Sequence, residues 1–249
     1  MSNKSCISIF CFHDVNDKPS QFCKDFNLNV SPKLFINQIE WIRNEFSIIS
    51  PVELLNNNKL PHNPALITFD DAFLNAFKNG IDYLVSNHIP SIMFINMSHI
   101  INNSPLISSR AVFYEKFVRQ KNSIISNQFH LKLNPTLYKE ILNNSNKDYE
   151  YEIKKYQGSL ATYDILKKYS NNKFVFFGNH LFSHWNSIAL NNEEFKLNIK
   201  LNNLELNKFS NFINIFAFPN GQPGSCFNLQ NIQILKQMGV LKAFSSSGN

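Results

Sequence analysis

The stretch ALITFDD, residues 65–71, decides the fold. Its first five residues are apolar or nearly so, which is typical of a strand buried on both faces. Apolar side chains then recur at helical spacing through residues 73–85, and Pro90 ends that unit before a second apolar run, SIMFI, at residues 91–95. A strand, a helix and a strand at this spacing predict two parallel strands joined by a right-handed crossover.

The same alternation extends outward on both sides of this unit. Ser31 followed by Pro32 predicts the start of a helix that reaches Phe46, because serine caps helices and proline is favoured at the first helical position. The further predicted strands are residues 6–12, 174–177, 213–218 and 240–244, and the further predicted helices are residues 51–55, 191–209 and 229–238. The sequence therefore predicts an α/β fold with a parallel sheet.

Residues 102–172 interrupt this alternation. They are rich in Asn, Lys and Tyr and mostly helical in pattern, without an obvious core of their own. We therefore expect a single domain over residues 1–249 with a helical insertion at about 102–172, since a chain of this length accommodates one substantial core.

The composition limits the classes of function. With 43% hydrophobic and 17% charged residues and a net charge of +6, the chain is an ordinary globular protein, and no aromatic and basic pattern indicates nucleic-acid binding. No apolar run is long enough to span a bilayer, and the residues after Met1 lack a signal-peptide pattern, which predicts a cytoplasmic protein. Cys6, Cys11, Cys23 and Cys226 show no CxxC spacing and are expected to be reduced packing residues.

Three groups of polar residues follow predicted strands, at the edge of a parallel sheet where active sites form. The first is Asp70 and Asp71: one carboxylate can bind a metal while the other faces a water molecule, or the pair simply caps the following helix. The second is His180 and His184, which share one face if the segment is helical. Two histidines and one aspartate make an open three-ligand metal site. The third is FAFPNG, residues 216–221, whose turn either presents a backbone N–H to an oxyanion or is only a loop.

Taken together and in this order, these residues resemble the polysaccharide deacetylases of the NodB-homology family. TFDD at residues 68–71 is similar to the first motif of that family, residues 178–180 with 183–184 to its second, and residues 216–221 to its third. CFHDV, residues 11–15, is similar to the Tyr-His-Asp-Val segment of the poly-N-acetylglucosamine deacetylase branch, in which the order of the barrel is circularly permuted.

The resemblance implies a fold, an activity and a set of site residues. The fold is a distorted (β/α) barrel of about seven strands, and the activity is metal-dependent removal of N-acetyl groups from an amino sugar or glycan. The cofactor is one divalent ion, Zn in the first place, with Co, Ni or Mn as alternatives. The implied substrate is an N-acetylated sugar, an oligosaccharide or a lipid-linked glycan. The implied site residues are Asp71, His180 and His184 as metal ligands, Asp70 as the base, His13 as the acid, and Asn220 with Pro219 beside the oxyanion and substrate.

The other histidines are weaker candidates for the acid. In a closed barrel the first strand lies beside the last, which brings His13 to the site. His99 follows the strand at residues 91–95 and is its main competitor. His62 and His88 are expected on the face away from the site, and His130 lies in the insertion.

Some positions depart from the family. Leu181 replaces a Ser or Thr, Ala72 stands where Gly is frequent, and Ala217 stands where many members carry an Arg that orients the catalytic aspartate. Arg110 is a candidate for that orienting task. These departures leave open a catalytically degenerate carbohydrate-binding protein of the same fold. A metal-dependent O-acetyl esterase also stays open, because the sequence does not distinguish hydrolysis of an N-acetyl amide from that of another amide or ester.

Overall fold

The computed structural model describes residues 6–56, 59–118, 135, 136, 138, 139 and 149–246. Its centre is a seven-stranded parallel sheet. The strands of these residues are, in chain order, β1 (Ser8–Phe12), β2 (Asp14–Val15), β3 (Asn29–Val30), β4 (Ser47–Ile48), β5 (Pro64–Asp70), β6 (Ser91–Ile95), β7 (Val175–Asn179), β8 (Phe212–Ala217) and β9 (Ala243–Phe244). β2 and β3 pair with each other beside the main sheet.

Helices connect the strands of the main sheet. They are α1 (Gln21–Asp25), α2 (Pro32–Glu45), α3 (Pro51–Asn56), α4 (Asp82–Ser86), α5 (Met97–Asn102), α6 (Ile107–Phe113), α7 (Glu150–Gln157), α8 (Tyr163–Tyr169), α9 (Asn192–Leu206) and α10 (Leu229–Gln237). The predicted start of α2 is confirmed, because the Ser31 hydroxyl accepts a hydrogen bond from the Leu34 N–H and Pro32 occupies the first helical position. Among the described residues, no helix has the length and apolar character needed to cross a bilayer.

The strand order is β1-β5-β6-β7-β8-β9, with β4 paired to the start of β5. Phe69 of β5 lies opposite Phe12 of β1 and Met93 of β6, and Ile95 of β6 lies opposite Asn179 of β7. Since all these strands run parallel, the residues that follow them collect at one edge of the sheet. The predicted α/β fold with a distorted barrel of about seven strands is confirmed.

The sheet curls into a half-barrel whose outer strands are β1 and β9. β1 pairs with β5 and, within the described part of the chain, with no strand on its other side. The expectation that the first strand lies beside the last is therefore wrong, and β1 instead adjoins the strand that ends in Asp70. A cavity of about 1150 Å³ is lined by residues of both outer strands and by the carboxyl edge of the sheet.

The segment after β5 departs from the predicted helix. Asp71 and Ala72 have φ angles of +67° and +56°, a left-handed conformation that residues other than glycine rarely adopt. Helical structure begins only at residue 74, passes into the π-helical turn Ala76–Ile81 and continues in α4. This turn packs closely on β5, because a side chain at Gly80 would lie 3.0 Å from the ring of Phe69.

The described helices of the insertion, α6, α7 and α8, pack on the same core as the sheet. Val112, Ile153 and Leu166 belong to the core cluster that contains Phe69 and Phe177. A second π-helical turn, Tyr114–Val118, follows α6, and residues 119–134 lie outside the described residues. One domain over residues 1–249 stays a prediction.

Candidate active site

The two adjacent aspartates face the same side of the carboxyl edge. His180 Nε2 lies 3.9 Å from Asp70 Oδ2 and 3.8 Å from Asp71 Oδ1, so a single ring nitrogen is close to both carboxylates. The left-handed turn at Asp71 and Ala72 removes the alternation that a continued strand would impose on the two side chains. Neither aspartate holds the capping position of the helix that follows, because helical structure begins at residue 74 and the cap position directly before it is residue 73.

His180 and His184 converge on Asp71 from a loop. The helix that would place them on one face is absent: Leu181 and His184 have φ angles of +61° and +53°, and the segment has no helical turn before Ser187–Ala189. The two rings nevertheless lie with centroids 4.9 Å apart, and His184 Nε2 is 3.2 Å from Asp71 Oδ1. The expected grouping therefore forms by a different route, through two left-handed residues.

Buried asparagines hold this loop in place. The Asn96 side chain donates to the backbone carbonyls of His180 and Leu181, the latter at 3.1 Å. Asn179 Oδ1 accepts hydrogen bonds from the Leu181 N–H at 2.8 Å and from Asn202 Nδ2 at 2.9 Å. Asn96 and Asn202 were not predicted as supports, although Asn96 directly follows a predicted strand, which is a usable signal.

Leu181 contributes an apolar side chain at this position of the loop. The Leu181 side chain is buried in an apolar cluster with Trp185 and Phe216. The loop is therefore positioned through its backbone by amide side chains, while residue 181 contributes packing.

The orientation of the His180 ring identifies its free nitrogen. Its Nδ1 lies 2.9 Å from the Ala217 carbonyl oxygen, which can only accept, so Nδ1 carries the proton. Nε2 then presents a lone pair toward the aspartates, as in a ligating histidine held by a backbone carbonyl. Residue 217, where the family often has an arginine, thus acts here through its main chain.

Asp71, His180 and His184 fit a divalent metal ion. One donor atom from each lies within 4.8 Å of the others, and all three residues are buried. Asp71 Oδ1 accepts no hydrogen bond from the described residues although it is buried, and such an atom needs a partner. One carboxylate oxygen and two imidazole nitrogens form a donor set that Zn²⁺ prefers, with a position left open.

The electrostatics favour an ionised ligand at position 71. Burial opposes the charged carboxylate, but attraction to His184 and His180 outweighs it and holds the pKa of Asp71 below its usual value. His99 is also near Asp71, but burial lowers the pKa of His99 to about 4, against the opposing pull of Asp71. His99 is therefore neutral near pH 7.

His13 lies on the cavity side of the aspartates. Its Nε2 is 4.0 Å from Asp70 Oδ2, and its side chain lines the cavity with 26% of its surface exposed. The competing histidine, His99, is buried with Nδ1 3.4 Å from Ser104 Oγ and does not line the cavity. His62 and His88 are exposed outside the cavity wall, and His130 lies outside the described residues.

The turn after β8 forms another part of the cavity wall. Asn220 has a φ of +61° and lines the cavity, whereas Pro219 is buried and does not line it. The Asn220 carbonyl accepts a hydrogen bond from Ser246 Oγ at 2.9 Å, which ties the turn to the segment after β9. The oxyanion and substrate roles of these two residues stay predictions.

Arg110 and Cys11 have surroundings that differ from those expected. Arg110 donates to Glu150 from Nη2, so its described hydrogen bond does not orient either aspartate. Cys11, expected to be a packing residue, is exposed to the cavity, and its sulfur lies within 4.8 Å of donor atoms of His13 and Asp70.

Comparisons with known proteins agree with this architecture. Residues 57–243 match the family model described as polysaccharide deacetylase. No curated protein sequence matches the chain significantly.

Several solved structures have a similar fold. The deacetylase PplD of Streptococcus pyogenes in complex with acetate has 17% identity and a TM-score of 0.60, covering 94% of this chain and 81% of that one. IcaB from Ammonifex degensii has 16% identity and a TM-score of 0.56, covering 93% and 79%. A de-N-acetylase from Aggregatibacter actinomycetemcomitans has 14% identity and a TM-score of 0.61, covering 97% and 88%. At these identities the likeness shows a common fold.

Proposed function

The chain belongs to the polysaccharide deacetylase family, and on this premise we propose that it hydrolyses the N-acetyl amide of an amino sugar or glycan with the help of one divalent metal ion. The observation that carries the proposal is the buried grouping of Asp71, His180 and His184 beside a second carboxylate, Asp70, that reaches the cavity. Amide hydrolysis requires an electrophilic centre and a base next to it, and this arrangement provides positions for both.

Asp71, His180 and His184 would hold the ion, with Zn²⁺ as the first candidate and Co²⁺, Ni²⁺ or Mn²⁺ as alternatives. When bound, such an ion polarises a carbonyl oxygen and lowers the pKa of a water molecule. The tautomer of His180, fixed by the Ala217 carbonyl, supports this role because its Nε2 is free to bind.

Asp70 would take the proton from the attacking water. Its side chain keeps 16% of its surface exposed, whereas that of Asp71 keeps 6%, so Asp70 is the aspartate that a substrate in the cavity approaches. The two neighbouring carboxylates thereby take different roles: the buried one is a ligand and the accessible one is a base.

His13 would give a proton to the leaving amine. The 4.0 Å between His13 Nε2 and Asp70 Oδ2 allows both groups to reach one amide bond, the aspartate on the side of the water and the histidine on the side of the nitrogen. The N–H of Asn220, in the turn that Pro219 shapes, would donate a hydrogen bond to the oxyanion.

The size of the cavity suits an N-acetylated oligosaccharide or lipid-linked glycan. Its volume of about 1150 Å³ exceeds the range of roughly 300–1,000 Å³ that is typical for pockets of single small molecules. More than one sugar ring can therefore be accommodated.

The test is acetate release from a substrate panel. The panel holds N-acetylglucosamine oligomers of increasing length and matched O-acetylated sugars, each assayed with metal-loaded enzyme, with chelator, and after Zn²⁺ is restored. We expect acetate from the N-acetylated members, its loss with chelator and its return with Zn²⁺. Release from the O-acetylated members alone would identify an esterase, and glycan binding without acetate from any member would identify a carbohydrate-binding protein.

A further inference from the structure

Cys11, His13 and Asp70 form a second group of potential ligands beside the proposed metal site. One donor atom from each lies within 4.8 Å of the others. Cys11 and His13 are two residues apart at the end of β1, so strand alternation directs both to the cavity side. Phe12, between them, points the other way and packs on Phe35 with ring centroids 4.9 Å apart. The proposed deacetylation uses His13 and Asp70 but has no task for the thiol.

The chemistry of this group selects a thiophilic cation. A thiolate sulfur, an imidazole nitrogen and a carboxylate oxygen together suit Zn²⁺ or Cd²⁺, whereas Mg²⁺ and Ca²⁺ prefer oxygen ligands alone. Ligands at about 2.0–2.3 Å from a tetrahedral Zn²⁺ lie roughly 3.3–3.8 Å apart. The donors of Cys11, His13 and Asp70, which are no more than 4.8 Å apart, therefore need to approach one another by at most about 1.5 Å, which side chains that line the cavity can do by small rotations.

This group differs in access and in affinity from the buried group of Asp71, His180 and His184. Cys11 is exposed and His13 is partly exposed, so an ion can enter directly from the cavity. The free energy of binding here is reduced because the ligands have to move and because an ion held by Asp71, His180 and His184 repels a second one. The second site is therefore weaker than the first.

An ion bound to this group would prevent Asp70 from acting as the base and His13 from acting as the acid. A carboxylate that donates its lone pair to a cation is a poorer proton acceptor, and an imidazole nitrogen bound to a cation carries no proton to give. We propose that Cys11, His13 and Asp70 form a second, weaker site for a thiophilic divalent cation, and that its occupation stops catalysis. The inhibition rests on the proposed function, whereas the binding does not.

The binding test uses Co²⁺ titrated into the metal-free full chain. Bound ions are counted after dialysis, and a near-ultraviolet charge-transfer band reports a cobalt–thiolate bond. We expect two ions per wild-type chain, with the band growing only as the second binds. Cys11→Ser should bind one ion without the band, and that one ion shows that the variant is folded. Cys6→Ser, a matched change of an exposed cysteine on the same cavity, should behave as the wild type.

The inhibition test raises the Zn²⁺ concentration in the acetate-release assay. Cys11→Ser should have normal basal turnover and tolerate at least about tenfold more Zn²⁺ than the wild type and Cys6→Ser, the lower end of the usual loss of affinity at a damaged metal site. The inference is overturned if the wild-type chain binds only one ion, or if Cys11→Ser binds the second ion as well as the wild type does. It is also overturned if the cobalt–thiolate band appears with the first ion, or if the second ion binds without inhibiting turnover. If no substrate releases acetate, the proposed function fails, and the ion count and the band still decide whether the second site exists.

Discussion

The two sides of the active site are held in opposite ways. On one side the proposed ligands Asp71, His180 and His184 are buried, with 8% or less of their surface exposed. On the other side Cys11 and His13 belong to the outermost strand of the sheet or directly follow it, and both border the cavity. We refer to these as the buried side and the edge side.

The difference suits the role that we propose for each side. A metal ligand must keep one geometry, and the buried side achieves this with side-chain amides that bind the loop backbone. An acid or base must exchange protons with substrate and solvent, so it needs an accessible position. Changes to Asp71, His180 or His184 should therefore lower the affinity of the buried metal site, whereas a change to His13 should lower turnover and leave that affinity nearly unchanged.

The largest effect is expected on the buried side. His184→Ala removes one of the three proposed ligands, so metal affinity should fall by more than about a hundredfold, beyond the usual cost of losing an indirect partner. Turnover should disappear at ordinary metal concentrations. Bound metal is measured by elemental analysis after dialysis, with His62→Ala as an exposed histidine control. Unchanged metal content in both His184→Ala and His180→Ala would show that the ligand set is wrong.

Asp70→Asn tests the boundary between the two sides. The amide cannot accept the proton of water, so turnover should fall by about a thousandfold or more, within the range for a lost base. The affinity of the buried site formed by Asp71, His180 and His184 should stay within a few-fold of the wild type. If Asp70→Asn loses its metal while Asp71→Asn keeps it, the roles of the two aspartates are reversed.

His13→Ala examines the edge side directly. The affinity of the buried site formed by Asp71, His180 and His184 should change by no more than a few-fold, while deacetylation falls about a hundredfold, as expected for a missing acid. The loss should shrink on an acetyl ester with a good leaving group, which needs little protonation. Near-normal amide turnover by His13→Ala, together with an inactive His99→Ala, would assign the acid to His99.

A smaller effect is expected from Asn96→Ala. It removes the two side-chain hydrogen bonds to the carbonyls of His180 and Leu181, so the left-handed loop is held less firmly. Metal affinity should fall about tenfold, the lower end of the usual effect of an indirect partner. Chelator competition measures it, with Asn198→Ala on α9 as a control. Equal affinity in the two variants would mean that the asparagine contacts do not position the ligands.

The smallest effect concerns stability and pH. His99 has a pKa of about 4 when folded and of about 6.5 when unfolded. The unfolded chain therefore binds a proton that the folded one does not, and stability should decrease as the pH falls from about 6.5 to about 4. In metal-free protein, His99→Gln should reduce the loss of unfolding free energy between pH 7 and pH 4.5 by about 2 kcal/mol. Parallel curves for the variant and the wild type in urea denaturation would contradict this.

Much of the fold was predictable because its signals are local. The run at residues 65–69 and the SIMFI run at 91–95 are strands in the structure, and α2 begins where Ser31 and Pro32 predict. Each of these features depends on residues a few positions apart. The order of the motifs along the chain likewise predicted the family, which the match over residues 57–243 confirms.

The sequence by itself determined which residue types stand at the ends of the strands, because strand periodicity and turn chemistry are properties of neighbouring residues. It placed Asp70, Asp71 and His180 at one edge of a parallel sheet, since such strands all end on the same side. Only the tertiary structure decided how they face one another. The bonds from Asn96 to the 180–184 loop join residues more than 80 positions apart, and no local pattern encodes them. The same holds for β1, whose pairing with β5 and open outer edge bring Cys11 and His13 to Asp70.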